Sequence, residues 1–232
     1  MIMDKILLML QLQLQLNDAT NGEKWREGVT KTGNPINWKR CIYMECAEMI
    51  DSFSWKHWKN LNQAPDWANL QIEVVDVWHF IISLALEEYA KEMKGEIEEL
   101  ALNLSALPNF AALHNKNVQH GTQNEIIAKV ENIMLLALQK EPFEIEEIVA
   151  EFFDLVLLSG LDLDTLYRLY VGKNILNQFR QDHGYKDGSY IKEWDGQEDN
   201  VVMKRLWDED ADMQPEVLYK KMAKIYLPLT QR

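Results

Sequence analysis

The chain has 232 residues, of which 47% are hydrophobic and 26% charged, proportions that are ordinary for a globular protein and exclude a disordered one. With 24 Lys and Arg residues against 37 Asp and Glu residues, its formal net charge is −13. This acidity argues against nonspecific binding to nucleic acid or to an anionic membrane, because both require a positive protein surface. An anionic small molecule would need a local source of positive charge.

The chain has two cysteines, Cys41 and Cys46, which are too few for a disulfide framework and lack the spacing of a zinc site. The apolar stretch from Ile6 to Leu10 is too short for a membrane span or for the hydrophobic region of a signal peptide. We therefore expect reduced thiols, a cytoplasmic location and no membrane partner.

Good helix formers dominate the periodic segments, whereas the chain contains only 10 Gly and 6 Pro residues. This composition predicts one all-α domain over residues 1–232. Residues 11–16 alternate Gln and Leu, which is typical of a strand, but both residue types favour helix, so we predict helix there. The first half of the chain is predicted as helix 3–20, a polar loop over 21–37, helix 38–58, a break at 60–65, and a helix capped by Asp66 that runs to about residue 93.

The second half of the chain is also predicted to be helical. Breaks near Pro108 and Gly121 predict two or more short helices, which form an insert or cap at about residues 95–145. The next elements are predicted as helix 144–159 stopped by Gly160, a helix from Asp162 to Arg180, a glycine-containing functional loop over 183–200, and a C-terminal helical segment.

Two pairs of acidic residues occur in apolar surroundings on the second and third predicted helices. Glu45 and Glu48, and likewise Glu73 and Asp76, are three residues apart, so each pair lies on one helix face. In an antiparallel helix hairpin the four carboxylates would converge on a site that suits Mg²⁺ or Mn²⁺. A solvated helix face is the alternative. A di-iron site is the weaker metal hypothesis because it needs Glu-x-x-His, and His79 is expected to pack or hydrogen bond instead.

A cationic stripe lies near the end of the predicted helix that reaches Arg180. Lys173, Asn177 and Arg180 fall on one face of that helix, and Lys192 follows in the glycine-containing loop. In so acidic a chain this stripe indicates an anion-binding face. The alternative is a solvated basic stripe favoured by the helix dipole.

Neutral amides form a second polar stripe on the first predicted helix. Gln13, Asn17 and Asn21 are spaced by four residues, and such groups can hydrogen bond to the edge of a nucleobase. Trp58 and Phe80 are candidate stacking surfaces near the predicted helix hairpin. The alternatives are that the amides lie on an ordinary helix surface and that the aromatic rings belong to the hydrophobic core.

The paired Glu-x-x-Glu and Glu-x-x-Asp motifs resemble the metal motif of the all-α nucleotide pyrophosphatase superfamily. Within it, the chain resembles the dimeric dUTPases of bacterial and kinetoplastid type, which are unrelated in fold to the trimeric all-β dUTPases. No matching motif occurs at about 95–145 or beyond 205. The matching blocks are Asn17-Asp-x-Thr-Asn21-Gly, Trp38-x-Arg40-Cys-Ile-Tyr-Met-Glu45, Asp51-Ser-Phe-x-Trp55-Lys-His-Trp-Lys59, Gly172-Lys-Asn-x-Leu-Asn177-x-Phe-Arg-Gln181, Gly184-Tyr-Lys-Asp-Gly188 and Trp194-x-Gly-x-Glu-Asp-Asn200.

The resemblance implies an all-α helical bundle with a four-carboxylate metal site between two antiparallel helices. It implies hydrolysis of dUTP to dUMP and pyrophosphate, and also of dUDP, by a homodimer that uses Mg²⁺, with Mn²⁺ as a substitute. Such an enzyme keeps uracil out of DNA and supplies dUMP. The alternatives are a related pyrophosphatase that acts on another nucleotide, such as dCTP or one with an oxidised base, and a non-enzymatic helical interaction protein.

The resemblance also implies a role for each candidate residue. Glu45, Glu48, Glu73 and Asp76 would hold the metal, and Glu48 would also orient or deprotonate the attacking water. The implied substrate contacts are Lys173, Arg180, Lys192 and Tyr185 with phosphate, Gln13, Asn17 and Asn21 with uracil or sugar, Trp58 and Phe80 near the base, and Asn177 and Asn200 with deoxyribose or phosphate.

Overall fold

The computed structural model describes residues 2–59, 63–92, 95–140 and 144–231. The structure is 68% helical, and the described residues contain one short two-stranded sheet, so the predicted all-α class is confirmed. The chain packs into two compact units, the first ending at Tyr167 and the second beginning at Arg168. The single domain over residues 1–232 stays a prediction.

The described part of the first unit consists of α-helices, 3₁₀ helices and the segments that join them. Its elements are α1 (Ile2–Asn21), a 3₁₀ helix (Glu23–Glu27), α2 (Trp38–Ile50), α3 (Trp67–Lys91), α4 (Ile97–Ser105), a 3₁₀ helix (Phe110–His114), α5 (Gln123–Leu138) and α6 (Ile145–Leu158). Helix α7 (Leu163–Asp182) includes the boundary between the units. The second unit continues with β1 (Glu193–Trp194), β2 (Gln197–Glu198), α8 (Asp199–Asp208), α9 (Pro215–Tyr226) and a 3₁₀ helix (Leu229–Gln231).

Helix starts follow the predicted capping residues. The Asp66 carboxylate accepts a hydrogen bond from the backbone N–H of Asn69 at 2.9 Å, and the Asp162 carboxylate accepts one from the backbone N–H of Thr165 at 2.7 Å. The Gln/Leu alternation lies inside α1 and is helical, as predicted. The short helices expected between residues 95 and 142 are present as α4 and α5.

The predicted extent of the second helix is wrong, because α2 ends at Ile50 rather than near residue 58. The Asp51 carboxylate accepts a hydrogen bond from the Trp55 indole N–H at 2.7 Å and forms an ion pair with Lys56 at 2.8 Å. Such local side-chain bonds stabilise a turn in competition with the helix. The Ser54 hydroxyl also donates to the backbone carbonyl of Gln63 at 3.1 Å.

The loop predicted at 183–200 contains a β-hairpin that the sequence analysis missed. Strand β1 pairs with β2 in antiparallel register, and only Asp195 and Gly196 connect them. Both loop residues have positive φ, 48° and 83°, which is the conformation required by a type I′ turn and the reason for its Asp-Gly preference. The Asp-Gly dipeptide was therefore an available signal.

Helix α3 forms the centre of the first unit. It packs against α1, α2 and α6, and its Trp78 ring stacks on Phe152 with centroids 4.7 Å apart. The helix is long and apolar enough to span a membrane by length and composition alone, but 78% of its apolar window is buried inside the protein. Because α3 is buried, its polar side chains are held at fixed positions in the unit.

Aromatic side chains form the core of the second unit around Phe179. The Phe179 ring stacks on His183 at 3.9 Å and contacts the rings of Tyr226 at 5.3 Å and Trp194 at 5.7 Å. Tyr190 stacks on Tyr226 with centroids 5.1 Å apart. These contacts hold the end of α7 and the following loop against α9.

We expect Gly160→Ala to destabilise the first unit more than Gly33→Ala. Both glycines have positive φ, 75° and 81°, so an L-residue at either costs about 1–2 kcal/mol. A Cβ on Gly160 would also lie 2.7 Å from the ring of His120, which packs on Trp67, whereas no atom of the described residues lies within 4 Å of a Cβ on Gly33. Urea unfolding measures both costs.

A His120→Ala substitution is the control, because it removes the ring that the new methyl group would strike. In that background we expect Gly160→Ala to cost about as much as Gly33→Ala. Equal costs for the two glycine variants in the parent protein would contradict the steric argument.

Candidate functional site

An acidic cluster lies where α2 packs against α3. Glu45 on α2 and Glu73 and Asp76 on α3 each offer a carboxylate oxygen, and these oxygens lie within 4.8 Å of one another. None of the three side chains is exposed. The structure therefore brings together three of the four carboxylates that were predicted to converge.

The fourth predicted ligand, Glu48, is exposed and does not belong to this cluster. It lies one turn after Glu45 on α2, a rise of about 4.5 Å along the helix axis. Its roles in metal binding and in activating water stay predictions.

The donor set of the cluster fits a hard divalent cation. Three carboxylates at this separation repel one another, and a bound cation would offset that repulsion. All-oxygen, anionic ligands are those that Mg²⁺ and Mn²⁺ prefer. The described cluster contains no histidine, so it does not have the Glu-x-x-His composition of a di-iron site.

A buried hydrogen-bond network joins α1 to α3. The Gln13 amide donates to Asn17 Oδ1 at 2.9 Å, and Asn17 Nδ2 donates to the Ser83 hydroxyl at 3.1 Å. Ser83 donates to the backbone carbonyl of His79 at 2.7 Å, and the His79 ring nitrogen Nδ1 lies 2.6 Å from Gln13 Oε1. Because an amide oxygen only accepts, His79 Nδ1 must carry the proton.

This network confirms the expectation that His79 forms a hydrogen bond, and it adds Ser83, which the sequence analysis did not identify. Gln13, Asn17, His79 and Ser83 are all at most 4% exposed. Ser83 lies four residues after His79 on α3, and this spacing was the available signal. The network fixes the orientation of Gln13 and Asn17, two of the three predicted base-reading amides.

The other predicted base contacts lie in different surroundings. The backbone carbonyl of Asn21, at the end of α1, accepts from the N–H of Lys31 at 2.6 Å. The Phe80 ring packs on Trp38 with centroids 6.2 Å apart. Trp58 is 61% exposed and contacts Trp55 edge-on at 5.5 Å.

The second unit brings together five of the predicted substrate-binding residues. Lys173 Nζ donates to Asn200 Oδ1 at 2.7 Å, and the Arg180 guanidinium donates to the same oxygen at 3.3 Å. Arg180 also donates to Asn177 Oδ1 at 3.2 Å, and its guanidinium lies 5.6 Å from the centroid of the Tyr185 ring. Lys173 and Arg180 are 3% and 8% exposed, so they form a buried cationic cluster rather than a solvated stripe.

Lys192, the remaining predicted cation, has an exposed side chain. Its backbone carbonyl accepts a hydrogen bond from the N–H of Asp199 at 3.0 Å. This bond holds the Lys192 backbone against Asp199, which precedes Asn200 in the chain.

Asp199, which the sequence analysis missed, is the anionic partner of the cationic cluster. Its carboxylate is fully buried and accepts two hydrogen bonds from Arg180, each of 2.8 Å, and one from the Tyr190 hydroxyl, also of 2.8 Å. Burial alone would raise the pKa of Asp199, but the hydrogen bonds and charge of Arg180 hold this pKa below its usual range. Burial and the neighbouring Asp199 charge raise the pKa of Tyr190, so its hydroxyl stays a donor.

We expect Ser83→Ala to cost about 1–3 kcal/mol of unfolding free energy, because it removes the acceptor of the buried Asn17 amide. Ser159→Ala is the matched control. Ser159 is equally buried at 0% exposure, and its hydroxyl has no hydrogen-bond partner among the described residues. Urea unfolding should show a clear loss for the first variant and almost none for the second. Equal losses would argue against the network.

A family model described as dUTPase matches residues 5–185, which include the acidic cluster, the amide network and most of the cationic cluster. No curated protein matches the chain. Asp199 and Asn200 lie beyond the matched residues.

Proposed function

We propose that this chain, which belongs to the dUTPase family and is a dUTP diphosphatase, carries out its reaction, dUTP to dUMP and pyrophosphate, with Mg²⁺ held by its acidic cluster. The observation that carries this proposal is the convergence of Glu45, Glu73 and Asp76 within 4.8 Å. Mn²⁺, which accepts the same oxygen ligands, is the expected substitute. Glu48 is proposed as the fourth ligand.

The proposed reaction is attack by water on the phosphate chain. Mg²⁺ bound at the acidic cluster would supply Lewis acidity, which lowers the pKa of a bound water and offsets phosphate charge. Glu48 lies one turn from Glu45 and is open to solvent, so it can orient the attacking water and accept its proton.

The cationic cluster is proposed to bind the phosphate chain. Phosphoryl transfer depends mainly on positioning and charge stabilisation, which Lys173 and Arg180 supply together with Lys192 and the Tyr185 hydroxyl. The Asn200 amide oxygen accepts from both buried cations, so its NH₂ group is the part that can donate to phosphate or deoxyribose. Asn177 is proposed to serve the same part of the substrate.

The amide network is proposed to contact the uracil or the sugar. Gln13 and Asn17 are held in one orientation by their partners on α3, and fixed amides discriminate between bases by their donor and acceptor pattern. Asn21, Trp58 and Phe80 are proposed to complete the contacts to the base. Family membership favours dUTP over the alternative of a related pyrophosphatase that prefers another nucleotide, such as dCTP.

The biological setting is also part of the proposal. We propose a cytoplasmic homodimer that also accepts dUDP, keeps uracil out of DNA and supplies dUMP. Family membership supports a nucleotide substrate and does not support the alternative of a non-enzymatic helical interaction protein.

We expect dUTP to be the best substrate in a panel of dUTP, dUDP, dCTP, dTTP and UTP, with product nucleotide measured by ion-exchange chromatography. Excess EDTA should abolish turnover, because the acidic cluster would lose its cation, and added Mg²⁺ should restore it. Faster hydrolysis of another nucleotide would contradict the proposed specificity. Full activity in EDTA would contradict the metal requirement.

We expect Glu48→Gln to lower kcat by about 10²–10⁴-fold, because the amide cannot accept the proton of the attacking water. Glu98→Gln is the matched control, since Glu98 is an exposed helical glutamate on α4. Far-UV circular dichroism should show that both variants fold. A fully active Glu48→Gln protein would remove Glu48 from the mechanism.

A further inference from the structure

The Arg180 guanidinium is held by a buried carboxylate that itself has no assigned role. Asp199 is 0% exposed, and its two oxygens accept from Arg180 Nε and Nη2 at 2.8 Å each. A carboxylate buried without a partner would be strongly unfavourable, so this two-bond pairing is what permits its burial. The geometry allows the guanidinium little freedom to rotate.

The Asp199 carboxylate is fixed in turn by the aromatic core of the second unit. The Tyr190 hydroxyl donates to Oδ2, the same oxygen that accepts from Arg180 Nε. The Tyr190 ring stacks on Tyr226 at an interplanar angle of 16°, and the Tyr226 hydroxyl accepts from the backbone N–H of Ile191 at 3.2 Å. The orientation of the carboxylate is therefore set by packed rings rather than by a flexible loop.

The same short segment bonds to the side chains of two cations proposed to bind phosphate and to the backbone of the third residue. Asp199 pairs with the Arg180 side chain, its backbone N–H bonds to the Lys192 carbonyl, and the next residue, Asn200, accepts from Lys173. Lys173 and Arg180 both donate to one amide oxygen of Asn200, so their positive charges are close and repel each other. The negative charge of Asp199 offsets this repulsion.

We propose that Asp199 is a positioning residue, which holds the Arg180 guanidinium in a preorganised arrangement for the phosphate chain. The proposal rests on the proposed function, in which these cations bind phosphate. Asp199 itself would not contact the substrate, since its carboxylate repels phosphate and its oxygens already accept from Arg180 and Tyr190. Preorganised cations favour binding because the conformational entropy of their side chains is lost during folding rather than during binding.

The test compares ligands with and without phosphate. In Asp199→Asn we expect the inhibition constant of the non-hydrolysable analogue α,β-imido-dUTP to rise at least tenfold and that of deoxyuridine to stay within twofold. A merely structural role would weaken both ligands alike or lower the folded fraction. The KM for dUTP should rise together with the inhibition constant of the analogue.

A double-mutant cycle with Arg180→Ala tests whether Asp199 acts through Arg180. Arg180→Ala alone should weaken the analogue at least as much as Asp199→Asn does. Adding Asp199→Asn to Arg180→Ala should change analogue binding by less than twofold, because the group to be positioned is gone.

Two further variants serve as a control and a substitute. Asp208→Asn also lies on α8, but its carboxylate pairs with Lys204 on an exposed surface, so we expect unchanged binding. Tyr190→Phe keeps the stacked ring and the ion pair but removes one hydrogen bond to Asp199, and should weaken the analogue two- to fivefold. Tyr190→Phe therefore tests the proposal even if the Asp199→Asn variant does not fold.

The outcomes separate this inference from the function on which it rests. If Arg180→Ala does not weaken the analogue, the proposed phosphate role of Arg180 fails, and the inference fails with it. If Arg180→Ala weakens the analogue but Asp199→Asn does not, or if the two effects add, only the positioning role of Asp199 is overturned. Equal weakening of deoxyuridine would overturn it as well.

Discussion

The burial of α3 is the constraint on which the first unit depends. This helix packs against α1, α2 and α6, and each large apolar side chain that it buries contributes about 1.5–3 kcal/mol. Because the helix cannot rotate without exposing that surface, its polar positions are fixed in direction. Glu73 and Asp76 then face Glu45, and His79 and Ser83 face the amides of α1. One buried helix therefore places both the acidic cluster and the amide network.

The second unit obtains order by a different physical route. Its strands are only two residues long, and its core consists largely of aromatic rings around Phe179. Aromatic side chains bury a large area with few rotatable bonds, which suits a small unit. The ion pair of Arg180 and Asp199 lies beside this core, where low solvent exposure strengthens its hydrogen bonds.

The sequence predicted those features that depend on neighbours in the chain. Asp66 and Asp162 were identified as caps because a cap is satisfied within three residues. The carboxylate pairs and the cationic stripe were identified by helical spacing. The end of α2 was missed because Asp51 forms its decisive bonds with Trp55 and Lys56 after the helix ends.

Contacts between distant positions could not be predicted in the same way. Asp199 and Arg180 are 19 residues apart, with a loop and a hairpin between them, so no periodicity links the two. The turn at Asp195 was a local signal that was overlooked, whereas the pairing of Asp199 required the folded arrangement. The grouping of Glu45, Glu73 and Asp76 was predicted, but the different exposure of Glu48 was not.

The two-bond pairing of Arg180 with Asp199 limits how this chain can vary through evolution. A lysine at position 180 would keep the positive charge, but its single ammonium group cannot present two parallel N–H bonds to both oxygens of Asp199. A neutral residue at position 199 would leave a buried guanidinium without its anion. We therefore expect exchanges at the two positions to be tolerated only together, so that the pair is inherited as a unit.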